Sequence, residues 1–134
     1  MALLSDKAYL QELIDKYWFL TEDILNDKLY YALEGYLFPS TYKFEKDASV
    51  KEIIGKMLDT MGVTLNEYKS KILDSNFTVH ELLTLSSIIQ NEGKNVDFKN
   101  ISSVFHNRLN AGMKLESCAT SFYGVRQEFT SIGI

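Results

Sequence analysis

At 134 residues, 46% apolar and 24% charged, the chain has the length and balance of one soluble globular domain with a real core. A net charge of −4 removes the electrostatic case for a nucleic-acid surface and argues weakly against binding an anionic membrane face. One proline and seven glycines favour helices over a turn-rich all-β fold, and no run of about 18 apolar residues offers a membrane span.

The opening Met1 to Leu4 is too short for a signal peptide, so an exported protein would carry its targeting segment outside this chain. Ser5 is positioned to cap a helix reaching about Trp18, with Tyr9, Leu10, Leu13, Ile14 and Tyr17 recurring at three and four. The stretch Leu33-Glu34-Gly35-Tyr36-Leu37-Phe38-Pro39-Ser40-Thr41-Tyr42-Lys43-Phe44 is aromatic-rich and reads as loop and short strand. Capping boxes pair Ser49 with Glu52, Thr64 with Glu67 and Thr78 with Glu81. They predict helices from Ser49 to near Gly62, from Thr64 to about Leu73, and from Val79 to Glu92 with a stop at Gly93. A further helix should start near Asn95 or Asp97 and stop at Gly112, with extended chain from Met113 to Tyr123. The expected class is α+β, predominantly α-helical.

Two polar residues interrupt apolar faces. Leu82, Leu83, Leu85, Ile88 and Ile89 cover most of the circumference of the helix starting at Val79, leaving Thr84, Ser87 and Asn91 as a polar strip. That helix is expected to be largely buried. Gln90 falls between Leu83 and Ser86, where a carboxylic acid would be desolvated and its pKa raised, as a general acid near neutral pH requires. A buried glutamine bonded to nearby backbone fits the same pattern. Arg108 falls inside the stripe of Phe98, Ile101, Val104, Phe105 and Leu109. It must snorkel outward or meet a carboxylate, with Glu34 and Glu81 as candidates.

Other chemistries find little support. Two histidines (His80 and His106) and one cysteine cannot build a zinc spacing, so no metal is expected. There is no G-x-S-x-G elbow and no phosphate-binding glycine loop. Cys118 with a distant histidine lacks any protease signature.

Residues Leu33 to Tyr42, LEGYLFPSTY, resemble the EGYLFPDTY stretch of the YceG-like family of endolytic murein transglycosylases. The segments LTLSSIIQNE, SSVFHNRL and GMKLESCATSFYG resemble that family's LTLASIVEKE, ASVFxNRL and GMxLQSDPTxxYG, in order and spacing. The resemblance covers roughly Glu34 to Gly124. It implies a single partial catalytic domain over residues 1–134, with the family's N-terminal transmembrane anchor and the C-terminal part of the domain lying outside. It also implies a bacterial enzyme on the extracytoplasmic face of the cell membrane, with peptidoglycan glycan strands, and cell-wall synthesis proteins, as partners. No nucleic acid, no cofactor, and no membrane contact by this fragment are implied. Sequences of this kind are sometimes labelled aminodeoxychorismate lyase, but no lysine here sits in a context that suggests a pyridoxal phosphate Schiff base.

The implied reaction cuts the bond between N-acetylmuramic acid and N-acetylglucosamine without water. A glutamic acid protonates the glycosidic oxygen and then helps the C6 hydroxyl attack its own anomeric carbon, leaving a 1,6-anhydro end. The scheme needs no second carboxylate at a fixed distance. The family's glutamate falls on Gln90, which cannot deliver the proton, so this copy is expected to be inactive or severely impaired. Glu34, Glu92, Asn107, Arg108, Glu116, Thr120 and Tyr123 are the implied substrate-binding positions. Glu116 replaces a glutamine, and Cys118-Ala119 replaces Asp-Pro. The alternative is a non-catalytic peptidoglycan-binding or scaffolding module of the same fold. A transfer of the acid role to Glu92 would require it to act from about 200° around the helix.

Overall fold

A computed structural model describes residues 2–93 and 98–113. The chain divides into two compact units, Met1–Leu82 and Leu83–Ile134.

The first unit opens with a 3-10 turn, Ala2–Ser5, and helix α1, Lys7–Lys16. The cap is Asp6 rather than Ser5: its carboxylate accepts the Ala8 amide at 3.0 Å, and Ser5 is consumed by the preceding turn. α1 ends at Lys16, two residues earlier than expected, because Tyr17 is already extended. A second 3-10 turn, Glu22–Leu25, is capped by Thr21. Helix α2 spans Val50–Asn66, and the Ser49–Glu52 capping box closes in both directions.

The second expected box does not form. α2 runs through Gly62, and the Thr64 hydroxyl bonds back to the Thr60 carbonyl at 3.1 Å, as an interior threonine does. Gly62 is small for packing, not for stopping: a Cβ there would sit 3.3 Å from the Phe19 ring. The following helix, α3, is only Lys69–Asp74. The third box forms as expected, with Thr78 and Glu81 exchanging bonds of 3.1 Å at the start of α4, Val79–Gly93.

The core of this unit joins one face of α1 (Tyr9, Leu10, Leu13) to one face of α2 (Ile54, Leu58, Met61), with Phe19, Ile24 and Tyr36 filling the remainder. Leu58 has no exposure at all, and burying such a side chain is worth about 1.5–3 kcal/mol. Aromatic contacts chain the pieces together. Phe19 lies 5.5 Å from Tyr17 and 6.4 Å from Tyr36, and Trp18 meets Phe19 edge-on at 5.9 Å. Polar tips find partners at the rim. Tyr17 donates to Asp59 at 2.7 Å, and Trp18 donates to Asn66 at 2.9 Å, which fixes the end of α1 against α2. Burial first, and the Asp59 hydrogen bond second, push the Tyr17 phenol well above its ordinary range.

In the second unit, α4 continues to Gly93 and helix α5 spans Phe98–Asn110. α5 ends in a Schellman arrangement: Met113 N–H bonds to the Arg108 carbonyl at 2.8 Å and Gly112 N–H to the Leu109 carbonyl at 3.1 Å. Gly112 has φ +69, a left-handed value that explains the glycine. Leu85 and Phe105 are buried, whereas Phe98, Val104 and Leu109 stay exposed. α4 is therefore not largely buried as its composition suggests. A helix apolar almost all round needs cover on several sides, and among the described residues only part of α4 receives it.

No strand occurs among the described residues, so the strand expected within 33–44 is a run of turns and irregular chain, and the α+β class is not confirmed. Pro39 denies that stretch a ladder donor, and Gly35 at φ +90 bends it. The other stretch expected to be extended lies outside the described residues from position 114 onward.

Candidate functional site

The segment 33–38 is built as a tight anchor with one polar residue turned outward. Leu33 and Tyr36 are buried at 2% and 1% exposure, while Glu34 between them is exposed. Gly35 supplies the positive φ that lets neighbouring residues face opposite ways. The Tyr36 hydroxyl meets His80 Nδ1 at 2.8 Å, and the two rings stack at 6.0 Å. Burial, with a smaller contribution from Asp23, drives the Tyr36 phenol well above its ordinary range, so it stays protonated and hydrogen-bonding. This pair ties the 33–38 segment to the first turn of α4, the helix that carries position 90. Further along, Tyr42 donates to the Phe38 carbonyl at 2.6 Å and closes the loop after Pro39.

Glu34 also lines a groove of about 490 Å3 within the first unit. Its walls come from the first 3-10 turn and α1, the second 3-10 turn and the chain just after it, and residues within 29–37. Tyr30 and Tyr31 stand on it, 55% and 54% exposed.

In the second unit, Gln90 is exposed on α4, as are Asn91 and Glu92. This corrects the expectation of a desolvated position 90. The expectation treated the side of Leu83 and Ser86 as covered, but Ser86 is exposed and Leu83 only half-buried. The polar strip is as expected: Thr84, Ser87 and Asn91 are all exposed, with Ser87 donating to the Thr84 carbonyl at 2.7 Å and Asn91 to the Ser87 carbonyl at 3.0 Å. On α5, Asn107 is exposed and Arg108 half-buried. The Arg108 guanidinium lies 5.9 Å from the centroid of the Phe105 ring, one turn back, which gives the cation on the apolar stripe an aromatic face. Gln90, Glu92, Asn107 and Arg108 thus share the second unit, and Glu34 belongs to the first. Glu116, Thr120 and Tyr123, with Cys118 and Ala119, lie outside the described residues. No helix among the described residues is long and apolar enough to cross a membrane.

Two features were not found by sequence reasoning. The Tyr36–His80 hydrogen bond joins residues 44 apart, and no local periodicity encodes it. The groove beside Tyr30 and Tyr31 had one visible signal, two consecutive tyrosines outside any apolar repeat.

The model of the YceG-like family matches residues 3–132. The chain belongs to the YceG-like family. Among curated relatives, endolytic murein transglycosylases of Streptococcus pneumoniae and Bacillus subtilis are 38% and 36% identical over 126 residues. The match takes in 92% of this chain but 23% and 35% of those proteins, so the chain spans about a quarter to a third of their length. A crystal structure of a YceG-like protein from Listeria monocytogenes superposes with a TM-score of 0.84 at 37% identity, over 92% of this chain and 41% of that one. The YceG-like assignment agrees with the ordered motifs from Glu34 to Gly124.

Proposed function

We propose that this YceG-like chain is part of a lytic transglycosylase domain that acts within peptidoglycan glycan strands, at N-acetylmuramic acid–N-acetylglucosamine bonds. The observation that carries the reading is the family match across residues 3–132, with relatives named endolytic murein transglycosylase at 36–38% identity. Position 90 holds the place of the proton donor, and its glutamine cannot protonate a glycosidic oxygen. General acid–base catalysis contributes about 10²–10⁴-fold, so the chain cleaves at least that much more slowly than its Gln90→Glu variant. Glu34, Glu92, Asn107, Arg108, Glu116, Thr120 and Tyr123 contact the strand. Arg108, held over Phe105, supplies a fixed cation and hydrogen-bond donors. The full protein works on the extracytoplasmic face of a bacterial membrane, alongside cell-wall synthesis proteins.

Incubation of nascent, uncrosslinked glycan strands with the chain and with its Gln90→Glu variant tests this, with products read by mass spectrometry. The expected result is 1,6-anhydro ends and shortened strands from the variant alone.

A second reading is a glycan-binding or scaffolding module of the same fold. The exposure of position 90 and the glutamine there both favour it. It predicts that the strands bind both proteins and that neither cleaves them.

A further inference from the structure

We propose that Gly93 and Phe98 are positioning residues: their contact seats the first turn of α5 against the last turn of α4 and so sets where Asn107 and Arg108 stand relative to position 90. The inference rests on the reading of those three positions given above and adds what holds them in register.

Gly93 is the last residue of α4 and is buried. Its backbone does not call for glycine, since the left-handed φ values among the described residues belong to Gly35 and Gly112. Alanine is also the better helix former. The space over its Cα explains the residue. A Cβ on Gly93 would overlap Cε1 and Cδ1 of the Phe98 ring and meet Cζ at 3.4 Å, so ring and methyl cannot share the site. Phe98 opens α5 and is 48% exposed. With that much of it in water, the side chain is a spacer at a helix junction more than a piece of core.

The junction lies next to the candidate proton-donor position. Gln90 stands three residues before Gly93, and residues three apart are neighbours on a helix surface. At 100° per residue Gly93 falls between Gln90 and Ile89 on the circumference, so the ring sits at the edge of the face that carries position 90. Asn107 and Arg108 follow on the helix that Phe98 opens, about 13–15 Å along its axis. α5 carries that distance as one rod, closed at its end by the Met113 and Gly112 amides, with Arg108 braced on Phe105. A tilt of about 5° at Phe98 therefore moves both side chains by roughly 1 Å, and a misplacement of that size costs up to about 10²-fold in rate.

The test compares Gly93→Ala, Phe98→Ala, and Gly93→Ala combined with Phe98→Leu, each in the parent chain and in Gln90→Glu. Residual dipolar couplings of the α4 and α5 amides give the angle between the helices in the parent series. Formation of 1,6-anhydro ends on uncrosslinked strands gives the rate in the Gln90→Glu series. Gly93→Ala overfills the contact and Phe98→Ala empties it. Each should change the angle and lower the rate at least about tenfold. The combined variant trades ring volume for the added methyl and should restore the angle and most of the rate, which a general loss of stability would not allow. Alanine favours helix, so helical content should hold in every variant, which circular dichroism checks. An unchanged angle or an unchanged rate in Gly93→Ala, or a loss that Phe98→Leu does not recover, would overturn the inference. If Gln90→Glu forms no anhydro ends at all, the glycan reading falls and the helix angles alone decide the inference.

Discussion

Position 90 offers the sharpest link between exposure and chemistry. Gln90 is exposed on α4, so a carboxyl placed there by Gln90→Glu meets water rather than a low-dielectric wall. An unburied glutamic acid titrates near pH 4.3, which leaves about 0.2% protonated at pH 7. A general acid works only in its protonated form. Cleavage limited by that fraction therefore rises as pH falls and is lost as pH climbs through the carboxyl's pKa. A bound strand that covers the position would raise the pKa by desolvation and move the loss of rate to higher pH. The assay is side-chain carboxyl NMR on the Gln90→Glu variant, titrated first free and then with saturating glycan oligomer. The free variant should titrate within about a unit of the ordinary value, and the liganded one higher. A free-state midpoint above 6 would show that position 90 is desolvated in the uncomplexed chain and would refute the exposure argument.

Three further outcomes concern the fold. Leu58→Ala, at a side chain with no exposure, should cost about 2–5 kcal/mol in urea unfolding. Ser49→Ala removes one half of the capping box that opens α2 and should cost about 1 kcal/mol by the same measurement, whereas Thr64→Ala, inside the helix, should change stability far less. Burial chiefly raises the phenols of Tyr9, Tyr17 and Tyr36 above their ordinary value of 10.0. Their raised folded-state values contribute stability that is complete below pH 10 and lost as pH rises beyond it. Alkaline titration by phenolate absorbance should therefore show three of the eight tyrosines ionising late, together with unfolding.

Much of the helical skeleton was legible because its signals are local. The boxes at Ser49 and Thr78 act over three residues, and Gly112 marks a left-handed stop that its own backbone requires. Thr64 and Glu67 have the same spacing as a working box and form none, since the helix before them was already running and Gly62 did not stop it. What decided Gly62 was the Phe19 ring, a partner 43 positions away that no window on the sequence contains. The strand expected around Tyr36 failed for a related reason. Its buried aromatic, Tyr36, is spent on long-range contacts, stacked near Phe19 and bonded to His80, while Tyr42 bonds locally to the Phe38 carbonyl, and neither joins a pleated ladder. The candidate positions came from motif order, which the match across residues 3–132 supports at the level of the family. Their environment was not legible, because the apolar circumference of α4 shows which residues want cover without showing whether they obtain it. Gln90 is where that difference matters most.

The account stands or falls on position 90 as the seat of the proton donor. The most direct measurement is a time course of 1,6-anhydro end formation on uncrosslinked glycan strands by three preparations: the parent chain, Gln90→Glu, and Gln90→Glu combined with Glu92→Gln. Anhydro ends from Gln90→Glu at least about a hundredfold above the parent, reduced by the weaker strand contact but still well above the parent when Glu92→Gln is added, are the predicted result. Ends formed by the parent at the same rate, or lost when Glu92 is replaced, would contradict it.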